Sequence, residues 1–247
     1  LKINLLLEKM RSRPWVIDVL IPAWNEEASL PSVLQDIPKD WVRNIVVCDN
    51  GSTDRTAEVA RAHGAIVVTQ NERGYGNACL AGISYLKSLS AFEQTEIVVF
   101  LDGDYSDFPE ELPQIVGPII HNNMDMVIGS RRLGNMEPGA MTIPQRFGNW
   151  LAPFLIRLFF GYKFSDLGPF RAIRWDKLLA LEMGDRNFGW TVEMQVKAAK
   201  QKLACTEVPV RYRKRALGKS KVSGTVKGAF KAGVIILATI FKELMRK

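Results

Sequence analysis

Short runs of β-branched and aliphatic residues alternate, through the first part of the chain, with stretches whose apolar residues recur at helical spacing. Trp15–Ile21 (WVIDVLI) is one such run and breaks at Pro22; Ala28–Ile37 then reads as a helix that closes before Pro38. Asn44–Cys48 (NIVVC) is a second strand, followed by a helix start at Ser52–Thr56 and a helix body over Ala57–His63 that Gly64 closes. Ile66–Thr69 (IVVT) is a third strand. Gly74-Tyr-Gly76 then marks a turn, the spacing predicts a helix over Asn77–Leu89, and Glu96–Leu101 (EIVVFL) is a fourth strand running into acidic residues.

Alternating strands and helices, with strands that are almost continuously apolar, predict an α/β fold with a mostly parallel central sheet flanked by helices on both faces. In such sheets the ligand crevice lies at the carboxyl ends of the strands. Those ends carry Asn25 and Glu26, then Asp49 and Asn50, then Asn71–Arg73, and then Asp102 and Asp104.

The later chain is patterned differently. Phe147–Phe164 is rich in aromatic and aliphatic residues but holds Pro153 and Arg157. It fits a helix packed across the sheet, a contact in a homodimer, or a helix lying in a membrane interface. Residues 225–247 pair an apolar stripe with Lys227, Lys231, Lys242, Arg246 and Lys247, which suits anionic headgroups, a membrane-spanning partner subunit, or a packed helix with solvated lysines. The run Ala232–Phe241 is too short to span a bilayer, and no segment reads as a signal peptide. The expected organisation is an N-terminal extension over 1–14, one domain over 15–224, and an amphipathic helix over 225–247.

Composition narrows the chemistry. Of 247 residues, 47% are hydrophobic and 24% charged, enough for one large domain with a buried core. Lys and Arg outnumber Asp and Glu by 33 to 26, a net charge of +7, so phosphates or anionic lipid are better partners than cations. Cys48, Cys79 and Cys205 have no paired spacing, which fits a reducing compartment. His63 and His121 have no neighbours at zinc-ligand spacing, and no nucleic-acid-binding motif is present. Gly74-Tyr-Gly76 lacks a third glycine and follows the third strand, which argues against a dinucleotide-dependent oxidoreductase.

Asp102-Gly-Asp104 places two hard oxygen ligands on a tight loop, suited to Mg2+ or Mn2+ beside a diphosphate; alone it would be an ordinary acidic turn. It does not stand alone. Val19–Glu27 (VLIPAWNEE), Val46–Asp54 (VVCDNGSTD) and Leu101–Ser106 (LDGDYS), in this order, resemble the family 2 glycosyltransferases of GT-A (Rossmann-like, nucleotide-sugar-binding) fold. Gly129–Arg131 (GSR), Ser165–Arg171 (SDLGPFR), Gly189–Met194 (GWTVEM) and Gly218–Lys221 (GKSK) look like the polyprenyl-phosphate, or dolichyl-phosphate, sugar synthases. The resemblance covers residues 15 to 240.

The resemblance implies roles residue by residue. Pro22, Trp24 and Glu26 match positions lining the nucleoside pocket, Asp49 matches the residue contacting the base, and Asp102 and Asp104 match the metal-binding pair, Asp102 also serving the donor nucleotide. Arg131, Arg146 and Arg215 match basic residues around the donor and acceptor phosphates, where guanidinium forks hold phosphate oxygens. Asp166, Ser220 and Lys221 match the acceptor side. Asn50 stands where a second Asp is usual, Trp24 where Tyr or Phe is frequent, and SDLGPFR is shortened against the family segment, which makes acceptor-side detail less transferable.

The expected reaction is an inverting, metal-dependent transfer of a hexose from GDP-mannose or UDP-glucose to a polyprenyl phosphate, by a peripheral protein at the cytoplasmic face of a membrane. A phosphate acceptor is already an anion and requires positioning rather than deprotonation. A sugar-hydroxyl acceptor would require a carboxylate base, for which Glu193 is the candidate; its other role is that of a helix residue that hydrogen-bonds and orders the acceptor loop. A non-catalytic relative that binds nucleotide sugar or lipid is the further alternative, against which the retained acidic pair argues.

Overall fold

The computed structural model describes residues 15–90, 93–215, 217 and 226–245. Strand β1 (Ile17–Ala23) is buried along its whole length because it lies inside the sheet, between β2 (Asn44–Asp49) and β4 (Ile97–Phe100). With β3 (Ile66–Thr69), β5 (Met126–Ser130), β6 (Arg171–Arg174) and β7 (Cys205–Pro209) it forms a seven-stranded sheet of order β3-β2-β1-β4-β6-β5-β7. β6 is antiparallel to both of its neighbours, and the other pairings are parallel.

The strands' period-two alternation divides the core. Val19 and Ile21 pack with Leu30, Val33 and Leu34 of α1 (Leu30–Asp36) and with Ile115, Val116 and Ile119 of α4 (Leu112–Asn122). On the other face, Leu20 packs with Cys79, Ile83 and Leu86 of α3 (Tyr75–Ser88). The same cluster takes in Ala152 and Ile156 of α5 (Ile143–Phe160) and Val192, Met194 and Val196 of α7 (Trp190–Lys200). The short helices α2 (Thr56–Ala62) and α6 (Trp175–Ala180) complete the layers.

The elements expected from the first part of the chain are present with shifted ends. Helix α1 starts at Leu30 rather than Ala28, because residues 24–29 are held in a turn in which Leu30 N–H bonds to Glu26 O at 2.9 Å. Helix α3 starts at Tyr75, two positions before the expected Asn77. Helix α5 runs straight through Pro153, with a capping box between Thr142 and Gln145 at its start and Gly161 in the left-handed region (φ 70°) at its end. Helix α8 (Val226–Met245) covers most of the expected amphipathic tail and docks on the domain: Ile240 is buried in the core and Lys200 Nζ donates to Glu243 O at 2.8 Å. Among the described residues no helix is long and apolar enough to cross a membrane.

Candidate active site

The turns after β1 and β2 are sewn together by short polar side chains. Asn25, held at φ 53°, accepts Thr53 N–H at 2.8 Å; Ser52 Oγ accepts Asn25 N–H at 2.9 Å; Thr56 Oγ1 accepts Glu26 N–H at 2.8 Å. Asp49 is buried at the end of β2 and caps Ser52 N–H at 3.2 Å. Asn50 reaches across to the loop after β3, donating to Gln70 O (3.0 Å) and Glu72 O (2.7 Å) and accepting Gly74 N–H (2.8 Å). That loop carries Arg73, which donates to Asn50 O at 3.0 Å and lies 4.1 Å above the half-exposed Trp24 ring. Trp24, Asn50 and Arg73 thus share one wall of the crevice, with Pro22 buried behind it in β1.

Asp102 and Asp104 follow β4 directly. Asp102 accepts the Tyr75 hydroxyl at 2.9 Å from the first turn of α3. Burial, and next the Asp104 charge, push the Asp102 carboxyl up to about 7. Asp104 Oδ1 accepts Ser106 N–H at 3.0 Å, and Oδ2 lies 3.5 Å from Arg215 Nη1. The other arm of Arg215 donates to Glu26. Ser29 Oγ, 2.7 Å from Glu26 Oε2 and 2.9 Å from Gly103 O, fastens this carboxylate to the acidic loop. Gly103 is buried, but an added Cβ would meet Ile21 Cγ2 at 3.4 Å and Ala23 Cβ and Glu26 Cγ at 3.7 Å, ordinary contact distances, so the protein's own packing does not demand glycine there. Among the described residues no third His, Cys, Asp or Glu joins the pair into a protein-only cation cage. Two partly exposed carboxylates on one loop suit a hard cation whose other ligands are diphosphate oxygens and water.

The residues expected on the acceptor side that are described form a separate unit. Asp166 is fully buried and takes Arg131 Nε at 2.9 Å, Nη2 at 2.6 Å and its backbone N–H at 2.7 Å. Burial opposes its charge, but the Arg131 guanidinium outweighs burial and holds the carboxyl below its usual range. Arg131 is therefore gripped by Asp166 and stacks at 5.0 Å on Tyr212. Arg146 stands exposed on the first turn of α5 and makes no side-chain hydrogen bond or ion pair among the described residues. Ser220 and Lys221 lie outside the described residues.

Glu193 orders a loop, but it is the one before its own helix rather than the expected acceptor loop. It is buried, accepts Gly184 N–H (3.1 Å) and Asp185 N–H (2.8 Å), and pairs with Lys197 at 2.9 Å. The loop it holds presses on the start of α3: an added Cβ on Gly76 would lie 2.0 Å from Asp185 O, and one on Gly74 2.0 Å from Arg186 O. Those glycines serve backbone packing. Arg73 was expected only as part of the strand-end segment Asn71–Arg73, and Tyr75, Asp107 and Tyr212 were not anticipated as site residues. Asp107 is buried, neither carboxylate oxygen has a hydrogen-bond partner among the described residues, and burial followed by the Asp102 charge raises its carboxyl well above the usual range. Its only sequence signal is its place three residues after Asp104.

The family model described as "Glycosyl transferase family 2" matches residues 18–180. The chain belongs to this family. An uncharacterized glycosyltransferase of Mycobacterium tuberculosis is 37% identical over 86% of this chain and 92% of its own. A protein of Haloferax volcanii named dolichyl-phosphate hexose transferase is 33% identical over 92% and 95%. Among solved structures, the M. tuberculosis glucosyl-3-phosphoglycerate synthase with Mn2+, UDP and glucosyl-3-phosphoglycerate matches with a TM-score of 0.72 at 23% identity, over 95% of this chain and 82% of that one. The fold is the GT-A glycosyltransferase fold, and the protein is a glycosyltransferase close to the polyprenyl-phosphate sugar synthases.

Proposed function

We propose that the chain transfers a hexose, from GDP-mannose or UDP-glucose, to a polyprenyl or dolichyl phosphate at the cytoplasmic face of a membrane, by an inverting displacement. The observation that carries this reading is helix α5. On its buried face Asn149 Oδ1 accepts Leu167 N–H at 2.9 Å, anchoring the loop that bears Asp166. On its opposite face Ile143, Phe147, Trp150, Phe154 and Leu158 are all at least half exposed. They form one apolar stripe at helical spacing, accompanied by the exposed cations Arg146, Arg157 and Lys163. One helix therefore joins a lipid-suited surface to the acceptor-side loop. The commitment of Glu193 to backbone and Lys197 removes the candidate base for a hydroxyl acceptor, which favours an acceptor that arrives as an anion.

In this reading Trp24, Asp49, Asn50 and Arg73 hold the nucleoside. Mg2+ or Mn2+, bound by Asp102, Asp104 and the diphosphate, would offset charge on the leaving group. An acceptor phosphate oxygen forms the new bond to the anomeric carbon as the bond to the nucleoside diphosphate breaks on the opposite side. Arg215, with Lys221, steadies the phosphates. Asp104→Asn is expected to lower transfer by about 100-fold or more, on the scale of losing one electrostatic stabiliser of the transition state. Arg215→Ala should reduce transfer more than nucleotide binding. Both are checked by radiolabelled sugar transfer and by calorimetric nucleotide titration; wild-type transfer in either variant would contradict its assignment.

A further inference from the structure

The acidic end of β4 already holds a cation of the protein's own. Asp104 Oδ1 is taken by Ser106 N–H, and Oδ2 faces Arg215 Nη1 at 3.5 Å. The guanidinium is not casually placed: its side chain is only 15% exposed, its Nη2 donates to the buried Glu26, and its Nε donates to Leu217 O at 2.9 Å. Glu26 is in turn fixed by Ser29 and, through its backbone, by Thr56. A planar fork held on two carboxylates and a carbonyl is pre-organised, so it loses little freedom by sitting there.

Resting on the reading of Asp102 and Asp104 as the cation pair, we infer that Arg215 is the built-in counter-ion of that site, held by Glu26. A divalent cation and the Arg215 contact to Asp104 then exclude one another. A metal ion ligated by Asp104 Oδ2 would meet Nη1 at the same oxygen, and like charges at that distance repel. A nucleoside diphosphate resolves the conflict, because its oxygens accept the displaced guanidinium while they ligate the metal. Cation binding is therefore weak alone and strong with nucleotide, and Arg215 passes from a carboxylate to a phosphate in the same step.

The test is Mn2+ affinity, measured by electron paramagnetic resonance without nucleotide and then with UDP or GDP. Arg215→Ala and Arg215→Gln should both tighten Mn2+ binding without nucleotide, by roughly three- to tenfold for a partly exposed charge pair. Both should also narrow the further gain on adding nucleotide. Gln keeps a donor for Glu26 but no charge, which separates charge from packing. Lys214→Ala removes one charge at the neighbouring exposed position and should leave Mn2+ affinity unchanged. Unchanged or weaker Mn2+ binding in the two Arg215 variants, with thermal unfolding like wild type, overturns the inference, as does equal tightening in Lys214→Ala. Asp104→Asn separates the levels: if it binds Mn2+ as wild type does, the cation-site reading itself fails. If it loses Mn2+ while the Arg215 variants match wild type, only the counter-ion inference fails.

Discussion

Asn50 stands where a second aspartate is usual, and its contacts show why an amide suits this chain. Its nitrogen serves two carbonyl oxygens and its oxygen serves one N–H, a mixed demand that a carboxylate cannot meet. Asn50→Asp should lower stability by about 2–3 kcal/mol, the scale of lost donors and a carboxylate facing carbonyl oxygens. It should also weaken donor binding by loosening the loop that carries Arg73; urea unfolding and nucleotide titration check the two effects. Asp102 carries a pH dependence of opposite character to an ordinary salt-bridged carboxylate. Its folded-state value of about 7 lies above the ordinary 3.8, so between those limits the folded chain keeps a proton that the unfolded chain has lost. Without a cation, stability therefore falls as pH rises from about 4 to about 7 and then levels. Asp102→Asn should be more stable than wild type at pH 8, by on the order of 2 kcal/mol, and nearly equal to it at pH 4, while losing transfer. Thermal unfolding across that range in EDTA decides it; equal stability at pH 8 would contradict the shift.

At the scale of elements, β1 to β4 were legible because each is a largely apolar run between turn residues, and the acidic loop was legible because it follows one of them. Strand β6 was not: Arg171–Arg174 is four residues long and bracketed by arginines. Arg171 is nonetheless buried, its guanidinium donating to Gly168 O, Leu167 O and Thr191 O. Only a tertiary site could provide those carbonyls. The two glycines at the start of α3 were legible as a turn but not as a packing site, because the backbone that presses on them comes from Asp185 and Arg186. Gly76→Ala should therefore displace that loop and unfold at distinctly lower temperature, whereas Gly148→Ala, whose added Cβ meets nothing within 4 Å, should not. Helix α5 makes a separate prediction. Replacing Trp150 and Phe154 by Glu should reduce binding to anionic vesicles at least tenfold, since each buried aromatic contributes about 1.5–3 kcal/mol, and should leave nucleotide affinity intact. Sedimentation with vesicles measures the first and titration the second.

Taken whole, the molecule puts a polar crevice at the parallel strand ends, Asp102 and Asp104 beside Arg215, and the Asp166 loop on the back of a helix whose outer face is apolar and basic; the proposed reading assigns these to nucleotide, cation and acceptor. The net charge of +7 suits both an anionic donor and an anionic lipid surface. The most direct test offers the protein vesicles containing polyprenyl phosphate and, separately, soluble 3-phosphoglycerate, each with GDP-mannose or UDP-glucose and Mg2+ or Mn2+. Products are read by mass spectrometry and their anomeric configuration by NMR. The account predicts a hexosyl phospholipid of inverted configuration from one donor, abolished by EDTA. Transfer to the soluble acceptor alone, or a lipid product of retained configuration, would contradict it.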